Sequence, residues 1–568
     1  MKNANVKHAK SLIAAKQYLQ ASTVLETLLQ SDHKNVELLT CLSLCQSHLG
    51  NKLEAIAAAI DAVRFSGFEH ACYVSLFSTL DSNDYPHYLR PLELVLLEAL
   101  HNKYLEGQAV EFLRIQFFAK YRKIFAKPIE SLTEELELMI ADPLFIAIVS
   151  RGITPHHQLE KIILLARKEL LYCIANNLDA RAYQPTINAI ACQNLLNDGV
   201  YFQTGEEQAL ISALADCDKQ FAYAAVALKI CYANFEQALS IWAENKTLFE
   251  HVSLKQLGDD LAFYASVASS PSSEEHEVAD ETSLNVQSFY AENPYPKYKV
   301  VKLSALNVSQ CMARLGLEQV EKPNILIAGC GTGLQAIELA YANKDGHVTA
   351  IDISPTSLNY AKKMASKYQL ENIEFKLHDI LNISSLGQKF DYIVSTGVLH
   401  HMSSPQAGLN ALAKQLKSNR LMVLGFYSKQ GRRQLSEIRD NLIRYFNANG
   451  VQDITKSSLP EWRHSWSEEQ KRALWFCSND FFNTHGLMDA ILHPQETYYD
   501  TSELKDMLDE ADLSFKSMAL NPVQRSYYQK KTTQVNPMAF GESLERWGQF
   551  ESLHPDFFYS MYNFFVYK

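Results

Sequence analysis

Several familiar signatures are missing from this sequence. Its ten cysteines include no CxxC pair and no His/Cys cluster at zinc spacing. No metal site is therefore expected, and the thiols read as buried and reduced in a cytoplasmic protein. No run of about 18 apolar residues occurs, so no membrane span is expected. The opening Met1-Lys2-Asn3-Ala4-Asn5 begins a polar helix, not an apolar core, so no signal peptide is expected. Basic charge is in the minority, 53 Lys and Arg against 64 Asp and Glu, net −11. A surface for the phosphate backbone needs the opposite balance, so nucleic acid is not an expected partner, although a local basic groove stays open.

What is there folds. The chain has 568 residues, 47% apolar and 21% charged, enough for roughly two to four domains. Near the start, Ala21, Leu25 and Leu28 recur 34 positions later as Ala55, Ala59 and Ala62. Small residues at such a period suit helices that cross closely. Val36 to Val63 resembles a tetratricopeptide unit, with Gly50-Asn51 at the turn, and Asp32-His33 where that repeat has Asp-Pro. An unrelated helical hairpin is the alternative. Helical spacing continues to residue 268 without a chemical motif. Residues 269–285 are acidic and serine-rich and read as a linker.

Beyond the linker the period changes. Strands are predicted at 324–329, 347–352, 372–377, 390–395 and 420–425, and helices at 333–343, 355–368 and 404–417. This βαβ alternation requires a parallel sheet covered on both faces. Aromatic-rich helical segments interrupt it at 428–512. Strand pattern returns weakly at 513–520, and Met561–Lys568 reads as a closing strand, which makes seven.

The first strand runs directly into Gly329-Cys330-Gly331-Thr332-Gly333. Gly329 permits a tight turn, Gly331 lets the backbone approach a ligand, and Gly333 lets the next helix pack on the strand. A dinucleotide loop of the G-x-G-x-x-G kind would need glycine at 334, which is Leu334. The observed spacing suits a ligand without a pyrophosphate. Asp352 closes the second strand, where a carboxylate can accept both ribose hydroxyls. Asp379 closes the third, placed to accept an adenine amino group. Thr396-Gly397-Val398-Leu399-His400-His401 follows the fourth. In open parallel sheets, ligands lie at the carboxyl ends of strands, so all of these groups should face one cleft.

Residues 323–425 resemble a class I S-adenosylmethionine-dependent methyltransferase of the type 11/12 kind. With Phe289-Tyr290-Ala291-Glu292-Asn293-Pro294-Tyr295-Pro296, the loop from Ile325 to Gly333 and Gly397-Val398-Leu399-His400-His401-Met402, the chain resembles bacterial proteins that fuse tetratricopeptide repeats to such a domain. The resemblance runs from Asp142-Pro143-Leu144 through Trp547-Gly548 to Lys568. It implies a multidomain fold: tetratricopeptide-like repeats over 1–66, a helical scaffold over 67–268, the linker, and an α/β Rossmann-like methyltransferase domain over 286–568 with a helical insert at 428–512. It implies S-adenosylmethionine as cofactor, held by Gly329, Cys330, Gly331, Thr332, Gly333, Asp352, Ile353, Asp379, Ile380 and Gly397, with Tyr290 and Tyr295 in a lid. A Pro-fixed turn that packs aromatics is the alternative for that segment. The resemblance leaves the methyl acceptor open. Ile327 stands where many class I enzymes carry Asp or Glu; Leu487-Met488 stands where Cys-Arg is expected, and Thr497 where His is.

Methyl transfer from a sulfonium needs positioning more than acid–base work, so no catalytic dyad is required. His401, with His400, is the candidate base or acceptor-orienting group. Structural histidines bonding the loop backbone are the alternative. Asp480, His493 and Glu496 are weaker acceptor-side candidates, while Trp475, Phe476, Phe481 and Phe482 read as core. A protein or peptide acceptor recruited by the helical repeats is the expectation. A small-molecule or lipid-precursor acceptor, or a non-catalytic scaffold that binds the cofactor, remain as rivals.

Overall fold

The computed structural model describes residues 2–83, 85, 87–129, 133–268, 280–303, 307–451, 454–467, 470–471, 479–532 and 543–568. The chain forms two compact units, one from Met1–Thr154, Lys161–Ala166 and Val300–Leu303, the other from Pro155–Glu160, Arg167–Lys299 and Ser304–Lys568.

The first unit is helical. Tyr18–Ser31, Val36–Leu49 and Lys52–Phe65 are successive helices, each packed on the next. Asn35 caps the second by accepting from Leu38 N–H at 3.1 Å. Gly50, at φ 81°, ends it in the left-handed conformation that a side chain resists. Ala21, Leu25, Leu28, Ala55, Ala59 and Ala62 are all buried.

In the second unit, helices from Gln184–Asn197 to Lys255–Ala268 precede a seven-stranded sheet. The strands are β1 (Asn324–Ala328), β2 (His347–Asp352), β3 (Ile373–Leu377), β4 (Phe390–Thr396), β5 (Leu416–Tyr427), β6 (Ser514–Met518) and β7 (Met561–Tyr567). Their order is β3-β2-β1-β4-β5-β7-β6. The first five are parallel, and β7 is antiparallel to both β5 and β6. Both faces of β1 are covered. Leu326 and Ala328 enter one core with Leu409, Leu412 and Phe564, and Ile325 and Ile327 enter another with Met312, Ala336 and Ala340. That double burial is why the strand reads as an unbroken apolar run.

Two segments depart from expectation. Residues 269–279 of the expected linker lie outside the described residues, but Glu281–Glu292 is a helix, capped by Asp280 accepting from Ser283 N–H at 2.8 Å. The chain also leaves β5 and returns to it. Ser428 pairs with Tyr499 beyond the end of β5, with Tyr499 N–H donating to Tyr427 O at 2.9 Å. The excursion from 428 to 499, carrying helices Arg433–Ala448, Leu459–His464 and Thr484–Leu492, is thus hung at the carboxyl end of the sheet. Thr501–Glu510 then packs beside β6 and Leu544–Leu553 as a crossover helix.

No described helix is long and apolar enough to cross a membrane, no described His, Cys, Asp or Glu residues cluster as a metal site, and the described cysteines are free thiols.

Candidate active site

A cavity of about 360 Å³ opens where β1, β2, β3 and β4 end. The glycine loop forms its floor. Gly329 and Cys330 donate their N–H groups to Ile351 O, each at 2.9 Å, which ties the loop to the neighbouring strand. Gly329, Gly331 and Gly333 all have positive φ, at 78°, 51° and 88°. Each is also crowded. A Cβ on Gly329 would lie 2.4 Å from Val398, on Gly331 2.7 Å from Tyr295 O, and on Gly333 2.6 Å from Ala361 Cβ. Gly331 therefore admits the backbone at Tyr295, and Gly333 admits the neighbouring helix Pro355–Lys367.

Asp352 is bound into this floor. Its Oδ2 accepts from Gly331 N–H at 2.7 Å, and Oδ1 from Ser354 N–H at 2.9 Å. Each oxygen retains a lone pair for a ribose hydroxyl. Burial pushes its pKa above the usual carboxylate range, against the pull of these N–H groups. Asp379, at the end of β3, accepts from Leu381 N–H at 2.9 Å, and Asp379, Ile353 and Ile380 all line the cavity. Gly397 has φ 75°, and a Cβ there would meet nothing within 4 Å. The wall after β4 is therefore open.

Tyr290 and Tyr295 close the other side. Tyr290 OH donates to Asp489 Oδ1 at 2.7 Å, and Tyr295 OH to Asp480 Oδ1 at 2.5 Å. Thr332 lies outside the cavity lining: its N–H donates to Tyr295 O at 3.3 Å and its hydroxyl to Pro296 O at 2.6 Å, so it fastens the Tyr295-Pro296 segment instead. Gly333 likewise shapes the loop without lining the cavity.

The two histidines part company. His401 lines the cavity, and its Nδ1 lies 2.7 Å from Gln495 O. That carbonyl can only accept, so Nδ1 carries the proton and Nε2 is bare. Burial pulls its pKa down to about 4, so the ring is neutral. His400 is fully buried, 3.7 Å from the Tyr427 ring, and does not line the cavity. His493 stacks on His401 at 3.7 Å. Glu496 pairs with Arg432 at 2.6 Å. Phe481 and Phe482 are buried, whereas Trp475 and Phe476 lie outside the described residues.

Asp489, Tyr427 and Arg432 are among the cavity residues that escaped the sequence reading. Asp489 had one signal available, as the lone carboxylate on helix Thr484–Leu492, beside Leu487, Ala490 and Ile491.

Sheet order, antiparallel last strand and a recess at the strand ends define a class I methyltransferase fold, the class whose cofactor is S-adenosylmethionine. Residues 321–511 match the family described as methyltransferase domain, and the chain carries such a domain. An uncharacterized protein of Synechococcus sp. is 29% identical over 206 residues, 35% of this chain and 48% of its own. A malonyl-(acyl-carrier protein) O-methyltransferase of Acetivibrio thermocellus is 30% identical over 144 residues, 25% of this chain and 48% of its own. Among solved structures, PKMT2 from Rickettsia typhi in complex with AdoHcy is 16% identical, with a TM-score of 0.36 over 46% of this chain and 53% of its own. The chain spans about half the length of these curated relatives.

Proposed function

We propose that this chain transfers a methyl group from S-adenosylmethionine to a protein or peptide acceptor, recruited by its N-terminal helical hairpins. The observation that carries the donor half is the junction of Asp352 with Gly331 at 2.7 Å inside the cavity. A carboxylate fixed against the loop backbone is preorganised for a ribose, and the cavity's volume suits a small-molecule site. In this reading Gly329, Cys330 and Gly331 face the methionine part, Asp352 and Ile353 the ribose, and Asp379 and Ile380 the adenine. Gly397 leaves room beside the sulfur. Tyr290 and Tyr295 exclude water from above.

The bound cofactor supplies an activated methyl group on a good leaving group. The protein's own part is to orient and to desolvate. His401, neutral with a bare Nε2, orients the acceptor, and His400 supports the Tyr427 ring behind it. The protein acceptor rests on a different observation, the stacked helical hairpins of the first unit, an architecture that offers extended binding surfaces. We read residues 1–66 as tetratricopeptide-like and the site of action as the cytoplasm.

Calorimetric titration with S-adenosylmethionine tests the donor half. Wild type should bind and Asp352→Ala should not; a wild type that fails to bind overturns the proposal. Labelling a matched cell extract with tritiated methyl donor tests the acceptor. Label in the protein fraction is expected. Label confined to small molecules overturns the protein acceptor in favour of a metabolite or lipid precursor, and no label anywhere leaves a cofactor-binding scaffold.

A further inference from the structure

A second cavity, of about 870 Å³, lies in the same unit, and no described residue lines both it and the cofactor cavity. Its walls come from the helices before the linker, from Pro294 and Lys297, from helix Pro355–Lys367, and from Lys456 and His485 of the excursion. Lys297 is half-buried there. Its Nζ lies 4.0 Å from the centre of the Phe235 ring and 5.0 Å from that of Tyr264. Among the described residues, no oxygen accepts a hydrogen bond from that Nζ and no carboxylate pairs with it. Asp198 lines the same cavity, but its Oδ2 is held by His485 Nε2 at 3.0 Å. Lys456 donates to the Glu292 carbonyl. Inside the cavity, two ammonium groups thus share one carboxylate. Glu236, Glu292 and Glu461 line it too, but they are exposed, where water screens them. A half-buried ammonium over ring faces still wants an oxygen partner.

We propose that this cavity binds an anionic small molecule, a carboxylate or phosphate on an aromatic body, and that its occupancy is coupled to the cofactor site. The anion meets Lys297 and Lys456. Phe202, Tyr232 and Tyr360 add ring surface beside Phe235 and Tyr264 for the body. The volume lies within the range of small-molecule sites. The route to the glycine loop is short. Lys297 stands between two residues fastened to Thr332: Pro296 O accepts from the Thr332 hydroxyl at 2.6 Å, and Tyr298 OH donates to Thr332 O at 2.7 Å. An anion that draws on Lys297 therefore loads the backbone beside Gly331 and Gly333, and such coupling is reciprocal. The coupling rests on the methyltransferase reading above; the anion site does not.

The electrostatics agree. Burial first, then Lys456, lower Lys297 to about 8, against Asp198, which raises it. Burial also lowers Lys456, against Asp198, Glu292 and Glu236. Burial lowers His485 as well, so that ring adds no charge at neutral pH. Lys297 is still mostly an ammonium there, and a bound anion relieves its cost.

Calorimetric titration of the full chain with phenyl phosphate, benzoate and benzyl alcohol tests the site. The two anions should bind and the uncharged alcohol should not, and the tighter anion tells phosphate from carboxylate as the group recognised. Lys297→Met should weaken both anions by about tenfold or more. Should that variant fail to fold, Lys456→Met carries the test, with an expected loss of about threefold. No binding of either anion by wild type, binding of the alcohol as tight as theirs, or unchanged affinity in the variants overturns the site. Saturating phenyl phosphate should also change the dissociation constant of S-adenosylmethionine by about fivefold, and the cofactor that of phenyl phosphate by the same factor. Equal cofactor affinity with and without the anion overturns the coupling. A wild type that binds the anions but not S-adenosylmethionine overturns instead the methyltransferase reading and leaves the anion site standing.

Discussion

Gly333 and Gly387 both hold left-handed backbone, at φ 88° and 63°, yet only Gly333 is crowded, with Ala361 at 2.6 Å from a would-be Cβ and nothing within 4 Å at Gly387. The pair separates conformational strain from overpacking. Gly333→Ala should destabilise the second unit by about 1–3 kcal/mol more than Gly387→Ala, read from thermal unfolding. Equal losses would mean that φ alone sets the cost. At this scale, Asp352 was legible in the sequence because its position is local, one strand beyond the glycine loop. Asp489 was not. It meets Tyr290 across 199 positions, and no local spacing links a lid tyrosine to a helix of the excursion. His400 and His401 are neighbours with one local pattern, and only the packing of Tyr427 and the Gln495 carbonyl sends one inward and the other to the cavity.

The elements most exactly foreseen are those whose burial is complete. β1, β2 and β4 lie within a residue or so of their expected limits, since a strand covered on both faces must be apolar along most of its length. β5 extends further, Leu416–Tyr427, because Leu416 pairs with Phe390 of β4 ahead of an irregularity at the polar Lys417-Ser418-Asn419-Arg420, and the regular ladder resumes at Leu421. The excursion after β5 depends on long-range ties. Arg463, on Leu459–His464, donates to Glu160 Oε1 and Oε2 at 2.7 and 2.6 Å and to Phe481 O at 2.8 Å, all buried. Glu160→Ala strands the guanidinium and should cost about 3–5 kcal/mol. Hydrogen exchange should quicken at 459–464 and 479–492 and stay slow in β1 and β4. Slow exchange throughout would mean that apolar contacts alone hold the excursion in place.

For the whole molecule, the two compact units predict two unfolding transitions, and the cavity belongs to one of them. S-adenosylmethionine at a hundred times its dissociation constant should stabilise that unit by about 2.7 kcal/mol. Scanning calorimetry should show the upward shift in one transition and none in the other. A shift of both would make the units one cooperative body. The net charge of −11 gives the chain no basic footprint, and the cavity continues that theme with Asp352, Asp379, Asp480 and Asp489 in its walls.

The residues by themselves determined the sheet, its glycine loop and the aspartate beyond it, because periodicity and turn chemistry act over a few neighbours. Only the tertiary structure decided what faces that loop. The segment of Tyr290 and Tyr295 and the excursion meet at the cavity through bonds spanning nearly two hundred positions, which depend on everything packed around them.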